Sequence, residues 1–238
     1  AQTQRAVQNF PISGLAMPRP FIRAVGLVKW AAARANASLG LLDGAAADAV
    51  CAAALEVAAG EYDAHFPVDV FQTGSGTSTN MNVNEVIARL ATEQSPEPVN
   101  PNDHVNMSQS SNDVIPTAIH LSAVTQVHEH LLPALDHLAT TIQKRESETE
   151  SVVKTGRTHL MDAMPVTMAQ ELRTWREQIG NARTRLENAA TELLKIPQGG
   201  TAVGTGVNAH ADFARLFAEE LSALTDHHFT AMEHPFVG

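Results

Sequence analysis

The chain has 238 residues, 26 acidic side chains against 16 Lys and Arg, a formal net charge of -10 and an isoelectric point near 5.5. That sign of charge, without any Lys/Arg cluster, excludes a nucleic-acid-binding surface, and no apolar run reaches the ~20 residues of a transmembrane helix. A single cysteine, Cys51, excludes an internal disulfide framework and fits a reducing compartment.

The first part of the chain reads as short helices with loops. Residues 22–39 and 45–59 are expected to be helical, the second after an Asp43-Gly44 turn. Cys51 lies inside that Ala-rich helix (CAAALEVAA) and reads as a small buried hydrophobe rather than a nucleophile. FPVDV (66–70) is a short extended or loop piece, and Asn80 to Ala91 forms a further helix. SPEPVNPND (95–103) places three prolines in nine residues. It is the clearest break in the chain and sets the expected division into an N-terminal helical domain, 1–107, and a long-helix domain, 108–238.

The second part carries long apolar stripes. Val114, Ala118, Leu121, Val124, His128, Leu131, Leu135, Leu138 and Ile142 follow a spacing close to 3.5 over a helix roughly 45 Å long. Pro133 should kink this helix rather than end it, because the stripe continues beyond it. Met168, Leu172, Trp175, Ile179, Ala182, Leu186, Ala189 and Leu193 alternate steps of four and three without exception. Phe213, Leu216, Phe217, Leu221 and Leu224 make a third, shorter stripe. Gly-rich polar segments join the helices, so part of a helix bundle is expected rather than a continuous coiled coil. No strand alternation rises above noise. Charged residues are only 18%, which fits helix surfaces hidden against other subunits. The chain opens AQTQRAVQNF and closes HPFVG, and both ends read as interruptions of a longer protein. A cytoplasmic location is expected.

Four segments break the helical pattern: TGSGTSTN (73–80), SQSSND (108–113), TGRTH (155–159) and GGTAVGTG (199–206). The first two lead directly into helices. A helix N-terminus offers unpaired N–H groups and partial positive charge, and Ser, Thr and Asn add neutral donors, which suits a carboxylate. Plain N-capping explains any one of these segments taken alone. Several in one chain, one followed by His159, point to a site. His159 sits between two loops and is the candidate acid or base. His128 lies on the apolar stripe and reads as a core or interface residue. His128 and His130 point to different faces, and His227-His228 reads as surface. No metal-ligand spacing appears, so no metal is expected. The 199–206 segment lacks a phosphate-loop ending and reads as a tight turn.

Taken in order, TGSGTSTNMNVNE (73–85), NPNDHVNMSQSSND (100–113), GRTHLMD (156–162) and GGTAVGTGVN (199–208) resemble the motifs of class II fumarases, within the fumarase/aspartase superfamily. The resemblance extends over nearly the whole chain. It implies an all-α homotetramer on a central long-helix bundle, with three subunits contributing to each active site. The implied activity is reversible, stereospecific hydration of fumarate to L-malate in the tricarboxylic acid cycle, without metal or organic cofactor. By the same resemblance Ser75, Gly76, Thr77, Ser110, Ser111 and Asn112 bind substrate. Thr158 and His159 stand where the substrate carboxylate meets the catalytic water, with His159 the proton carrier. Asn100, Pro101, Asn102 and Asp103 match a secondary dicarboxylate site, although the family commonly has His where Asn100 stands. The family's flexible serine loop, which holds the presumed base with a lysine and an asparagine, would lie beyond residue 238. The chain alone is therefore expected not to complete an active site. The nearest alternative is aspartate ammonia-lyase, which tends to carry Gln, Thr and Ala where His159, Ser111 and Gly200 stand; Asn100 resembles the aspartase form. A non-catalytic member of the superfamily is the other alternative.

Overall fold

The computed structural model describes residues 1–237. Eight α-helices account for most of them: α1 Gln2–Asn9, α2 Arg19–Ser38, α3 Gly44–Ala59, α4 Thr77–Gln94, α5 Ser111–Gln126, α6 Leu132–Glu148, α7 Met168–Glu192 and α8 Phe213–Thr225. The fold is all-α with short strands, as expected from composition and periodicity. The chain forms two compact units: residues 1–122 with the chain from Leu193 onward, and residues 123–192.

In the first unit α2 is the centre, touching α3, α4 and α8. Its Val25, Val28, Ala31, Ala32 and Ala35 recur at three- and four-residue steps and are all fully buried. Small side chains on this face and on the Ala-rich α3 let the two helices approach closely. The Asp43-Gly44 signal becomes an N-cap: the Asp43 carboxylate accepts from the N–H groups of Ala45 and Ala46 at 3.0 and 3.3 Å. Helix α8 contributes Phe213, Phe217 and Leu221, all buried. Cys51 is buried with its thiol pushed up to about 12 by burial, so it is a packed, inert sulfhydryl. A two-residue parallel pairing of β3 Lys195–Ile196 with β4 Thr230–Ala231 ties the returning chain to its end.

The proline-rich break carries a π turn over Pro101–Val105, followed by the 106–110 loop. Pro116 lies inside α5. Having no N–H, it leaves the Asn112 carbonyl without its helical donor.

The second unit is a helical hairpin with a β-hairpin between its arms. The long stripe continues out of α5 through a π turn, Val127–Leu131, and resumes in α6 with Pro133 in the first turn. A proline is tolerated in a first turn, so it does not end the helix. His128 sits in the π turn, exposed, with Nδ1 2.9 Å from the Val124 carbonyl. Helices α6 and α7 are cross-linked by Glu146, whose carboxylate accepts from Nε of Arg173 at 2.5 Å and of Arg176 at 3.0 Å. Those guanidinium hydrogen bonds hold the Glu146 carboxyl below its ordinary range. Asp136 and Arg183 pair further along at 2.7 Å.

One difference from the sequence reading lies here. Residues 153–167, read as loops, form an antiparallel hairpin of β1 Val153–Thr158 and β2 Met161–Thr167. Its side chains are mostly exposed on both faces, so no polar/apolar alternation was available to reveal it.

Candidate functional site

In the first unit, three of the four polar segments converge. Segment 73–80 enters α4 with Gly76 at the N-cap, in the left-handed region at φ 66°. A Cβ on Gly76 would also lie 3.0 Å from the Ile115 side chain, so both backbone shape and packing demand glycine. Gln72 holds the loop in place. Its side-chain oxygen accepts from the Thr79 N–H at 2.7 Å, and its amide donates to the Thr79 hydroxyl at 2.6 Å. The hydroxyls of Ser75 and Thr77 hydrogen-bond at 2.8 Å, and those of Thr77 and Ser111 at 2.9 Å. A chain of three hydroxyls thus links the start of α4 to the start of α5.

Segment 108–113 is partly the capping that its composition alone explains. Ser110 is the N-cap of α5; its Oγ accepts from the Asn112 N–H at 3.2 Å, and Asp113 Oδ1 accepts from the Ser110 N–H at 2.9 Å. That reciprocal pair is a capping box with Asp in the third helical position. Capping does not account for the neighbours. Ser111 turns its hydroxyl to Thr77, and Asn112 donates through Nδ2 to the Ala202 carbonyl at 2.8 Å. The other Asp113 oxygen accepts from the N–H groups of Gly199 and Thr201 at 3.1 and 2.8 Å. Asp113 is buried, which raises its pKa against the pull of these N–H donors. The 199–206 segment is a tight turn, with Gly206 N–H closing onto the Gly200 carbonyl at 3.0 Å. Gly200 itself has no room for a side chain: a Cβ would meet that of Pro235 at 2.7 Å.

Below this surface lies a polar layer that the sequence reading missed. Lys29, fully buried on α2, donates to Asn106 Oδ1 at 2.9 Å and to Gln109 Oε1 at 3.0 Å. Asn80 and Asn84, buried on α4, donate to the same Asn106 oxygen at 3.1 Å each. Burial lowers the Lys29 amine to about 7, with Asp113 pulling the other way. The available signal was a lone cation in VGLVKWAAA, on a helix with no other charge between residues 24 and 33.

Thr158 and His159 belong to the second unit. Thr158 ends β1 opposite Met161, and His159 with Leu160 forms the hairpin turn. Leu160, at φ 54° and 91% exposed, allows the tight reversal. Arg157 Nε donates to Asp162 at 3.3 Å across the tip. The imidazole is therefore presented on an exposed turn braced by a sheet, outside any helix. An open groove of about 770 Å³ runs beside this hairpin and the start of α7, lined by Lys154, Arg157, Gln170 and Glu171 among others. His159 does not line it.

Asn100 caps the π turn, its Oδ1 accepting from Asn102 and Asp103 N–H at 2.8 and 3.1 Å, while its own N–H meets His104 Nδ1 at 3.1 Å. Two N–H groups of the expected secondary site are thus already occupied by the Asn100 side chain. No cluster of three or more His, Cys, Asp or Glu arranged to hold a metal occurs among the described residues.

The chain is similar to a class II fumarate hydratase of Xylella fastidiosa (strain 9a5c), 58% identical over all 238 residues and half of that relative's length. It is similar to a class II fumarate hydratase of Halobacterium salinarum at 52% identity, over 97% of this chain and 52% of the other. Among solved structures, a recombinant class II fumarase from Schistosoma mansoni superposes with a TM-score of 0.95 at 36% identity, over the whole chain and 54% of that structure. The chain thus spans about half the length of the curated relatives it matches. A family profile described as Lyase matches residues 1–235, so the chain belongs to this lyase family.

Proposed function

We propose that this chain is part of a fumarate hydratase, which interconverts fumarate and L-malate. The observation that carries the reading is the linked hydroxyl and amide set at the starts of α4 and α5: Ser75, Thr77, Ser111 and Asn112, joined across two helices. In the proposed mechanism, taking a proton from the carbon beside a carboxylate of malate creates a doubly charged aci-carboxylate. Donors already aimed at that carboxylate stabilise the charge as it grows. Gly76, Ser110 and Thr158 complete the substrate-binding set; the serine loop of the full-length protein takes the proton from carbon, and His159 passes a proton to the leaving hydroxyl, which departs as water. Neutral donors suit this role because they bind the dianion in both directions of a reversible reaction.

The exposed apolar stripe of α7, with Trp175 49% exposed, supports assembly into a homotetramer in which other subunits cover it. No helix among the described residues is long and apolar enough to cross a membrane, and a cytoplasmic enzyme is proposed. The break at 95–103 supports the division at 107/108 in the whole protein. Asn100 to Asp103 are proposed as a secondary dicarboxylate site.

Asn100 also favours a second reading, aspartate ammonia-lyase. The absence of room for a Cβ at Gly200 weighs against the Ala found in that branch. The test is ultraviolet absorbance of fumarate formed from L-malate by the full-length protein, with L-aspartate in parallel. Signal from malate alone is the expected result. Signal from aspartate alone assigns the ammonia-lyase, and silence from both assigns a non-catalytic role.

A further inference from the structure

The reading above uses the surface hydroxyls and leaves the buried layer beneath them without a role. That layer is unusual for an α-helical core. Lys29 is 0% exposed, yet its two hydrogen-bond partners are neutral amide oxygens rather than a carboxylate. A buried amine with two acceptors and no ion-pair partner among the described residues is suited to work as a directed donor. What it directs is the 106–110 loop. Asn106 receives three donors on one oxygen and returns its own amide to the Gln109 carbonyl at 3.2 Å. Gln109 donates to the carbonyls of Val105 and Met107, both at 3.0 Å. Asn36, two turns along the same face of α2 from Lys29, donates to the Met107 carbonyl at 3.1 Å and accepts from the Ser108 hydroxyl at 2.8 Å. Ser108 holds a left-handed backbone, φ 61°, that a non-glycine residue adopts only when its surroundings impose it. The same pattern recurs at the other end. Thr201, at φ 57°, is held by its N–H to Asp113.

We propose that Lys29 and Asp113 are positioning residues for the substrate-binding donors. Lys29 sets the 106–110 loop through Asn106 and Gln109, and Asp113 joins the start of α5 to the 199–201 turn. Ser110, Ser111 and Asn112 are thereby aimed before any ligand arrives. Neither residue touches substrate. The inference rests on the reading of these three residues as dicarboxylate donors. Pre-aimed donors bind without first being ordered, so loosening them weakens binding of the carboxylate.

The test is steady-state kinetics on L-malate with the full-length protein and four variants. Lys29→Met keeps an unbranched apolar stem and removes the donor. Asp113→Asn keeps the shape and replaces an acceptor with a donor. Val25→Ala, one turn away on the same helix, loosens packing without touching the network. Ser108→Ala deletes only the hydrogen bond to Asn36. The expected result is a KM about tenfold higher for Lys29→Met and Asp113→Asn, and about threefold higher for Ser108→Ala, with kcat less affected. For Val25→Ala, KM stays within about twofold. A purely structural role lowers the number of active molecules and so the apparent kcat, leaving KM unmoved. That pattern, or an equal rise of KM in Val25→Ala, overturns the proposal. If the first two variants do not fold, Ser108→Ala decides by whether its KM rises. A wild type silent on both malate and fumarate overturns the fumarase reading, and this proposal with it; an active wild type whose network variants keep their KM overturns this proposal alone.

Discussion

Val114, Ala118, Leu121 and Val124 are at most 1% exposed, whereas Leu131 and Leu138, on the same stripe at the same spacing, are 40% and 45% exposed. The residues are alike and the helical period is alike. What differs is the cover. Val114, Ala118 and Leu121 fall in the first unit, whereas Leu131 and Leu138 fall in the second, a two-helix arm in which α6 packs against α7. Helix α7 buries only Ala169 and Ala190 over its 25 residues. A two-helix arm cannot enclose a core of its own. In the proposed homotetramer other subunits would cover its apolar face. The polar side chains follow the same division. In the first unit a buried, cross-braced layer of Lys29, Asn80, Asn84 and Asp113 underlies the surface hydroxyls, while Thr158 and His159 stand on an exposed hairpin.

The largest expected effect tests the two halves of the stripe directly. Leu121→Asp places a carboxylate in a fully packed core and should cost about 4 kcal/mol or more, seen as loss of the cooperative urea transition. Leu138→Asp should leave helix content and unfolding of the subunit nearly unchanged, and instead shift the assembly toward smaller species by light scattering. Equal destabilisation by both would remove the distinction.

His159→Asn concerns the exposed hairpin. It should lower kcat for malate by about 10²- to 10⁴-fold with no shift in the melting transition, since the side chain packs against nothing that folding requires. A melting shift accompanying the loss would show that the hairpin tip is structural.

The buried layer responds to pH with a definite sign. Lys29 titrates near 7 when folded, against 10.5 as its ordinary value. Between these values the unfolded chain binds more protons than the folded one, so stability rises with pH. Relative to Lys29→Met, the protein should gain about 3 kcal/mol between pH 7 and 9.5 in urea unfolding. A flat difference would mean that the amine is solvated. Smallest of the set, Gly76→Ala should cost about 1–2 kcal/mol from its positive φ and the contact with Ile115, measured by thermal unfolding.

Much of this was legible beforehand. Helix α3 begins at the Asp43 cap that its Asp-Gly dipeptide announced, and the stripe through Pro133 continues as its period required. The four polar segments were visible because small, hydroxyl and amide residues interrupt helical periodicity. The hairpin at 153–167 was not visible, because strands exposed on both faces carry no alternation; they are held by pairing and by the Lys154 ammonium on the Glu171 carboxylate of α7. Lys29 was also missed. A cation in an apolar run says nothing about which acceptors it will meet, and its partners lie 77 and 80 residues away.

By itself, then, the amino-acid order determined the helical class, the faces of the helices and the residue types offered to a carboxylate, since these depend on local period and local chemistry. Only the tertiary structure decided which half of a stripe is covered, that Asp113 ties α5 to the turn near Gly199, and that a lysine lies beneath the site. Those depend on contacts between residues far apart in the chain, and local spacing does not encode them.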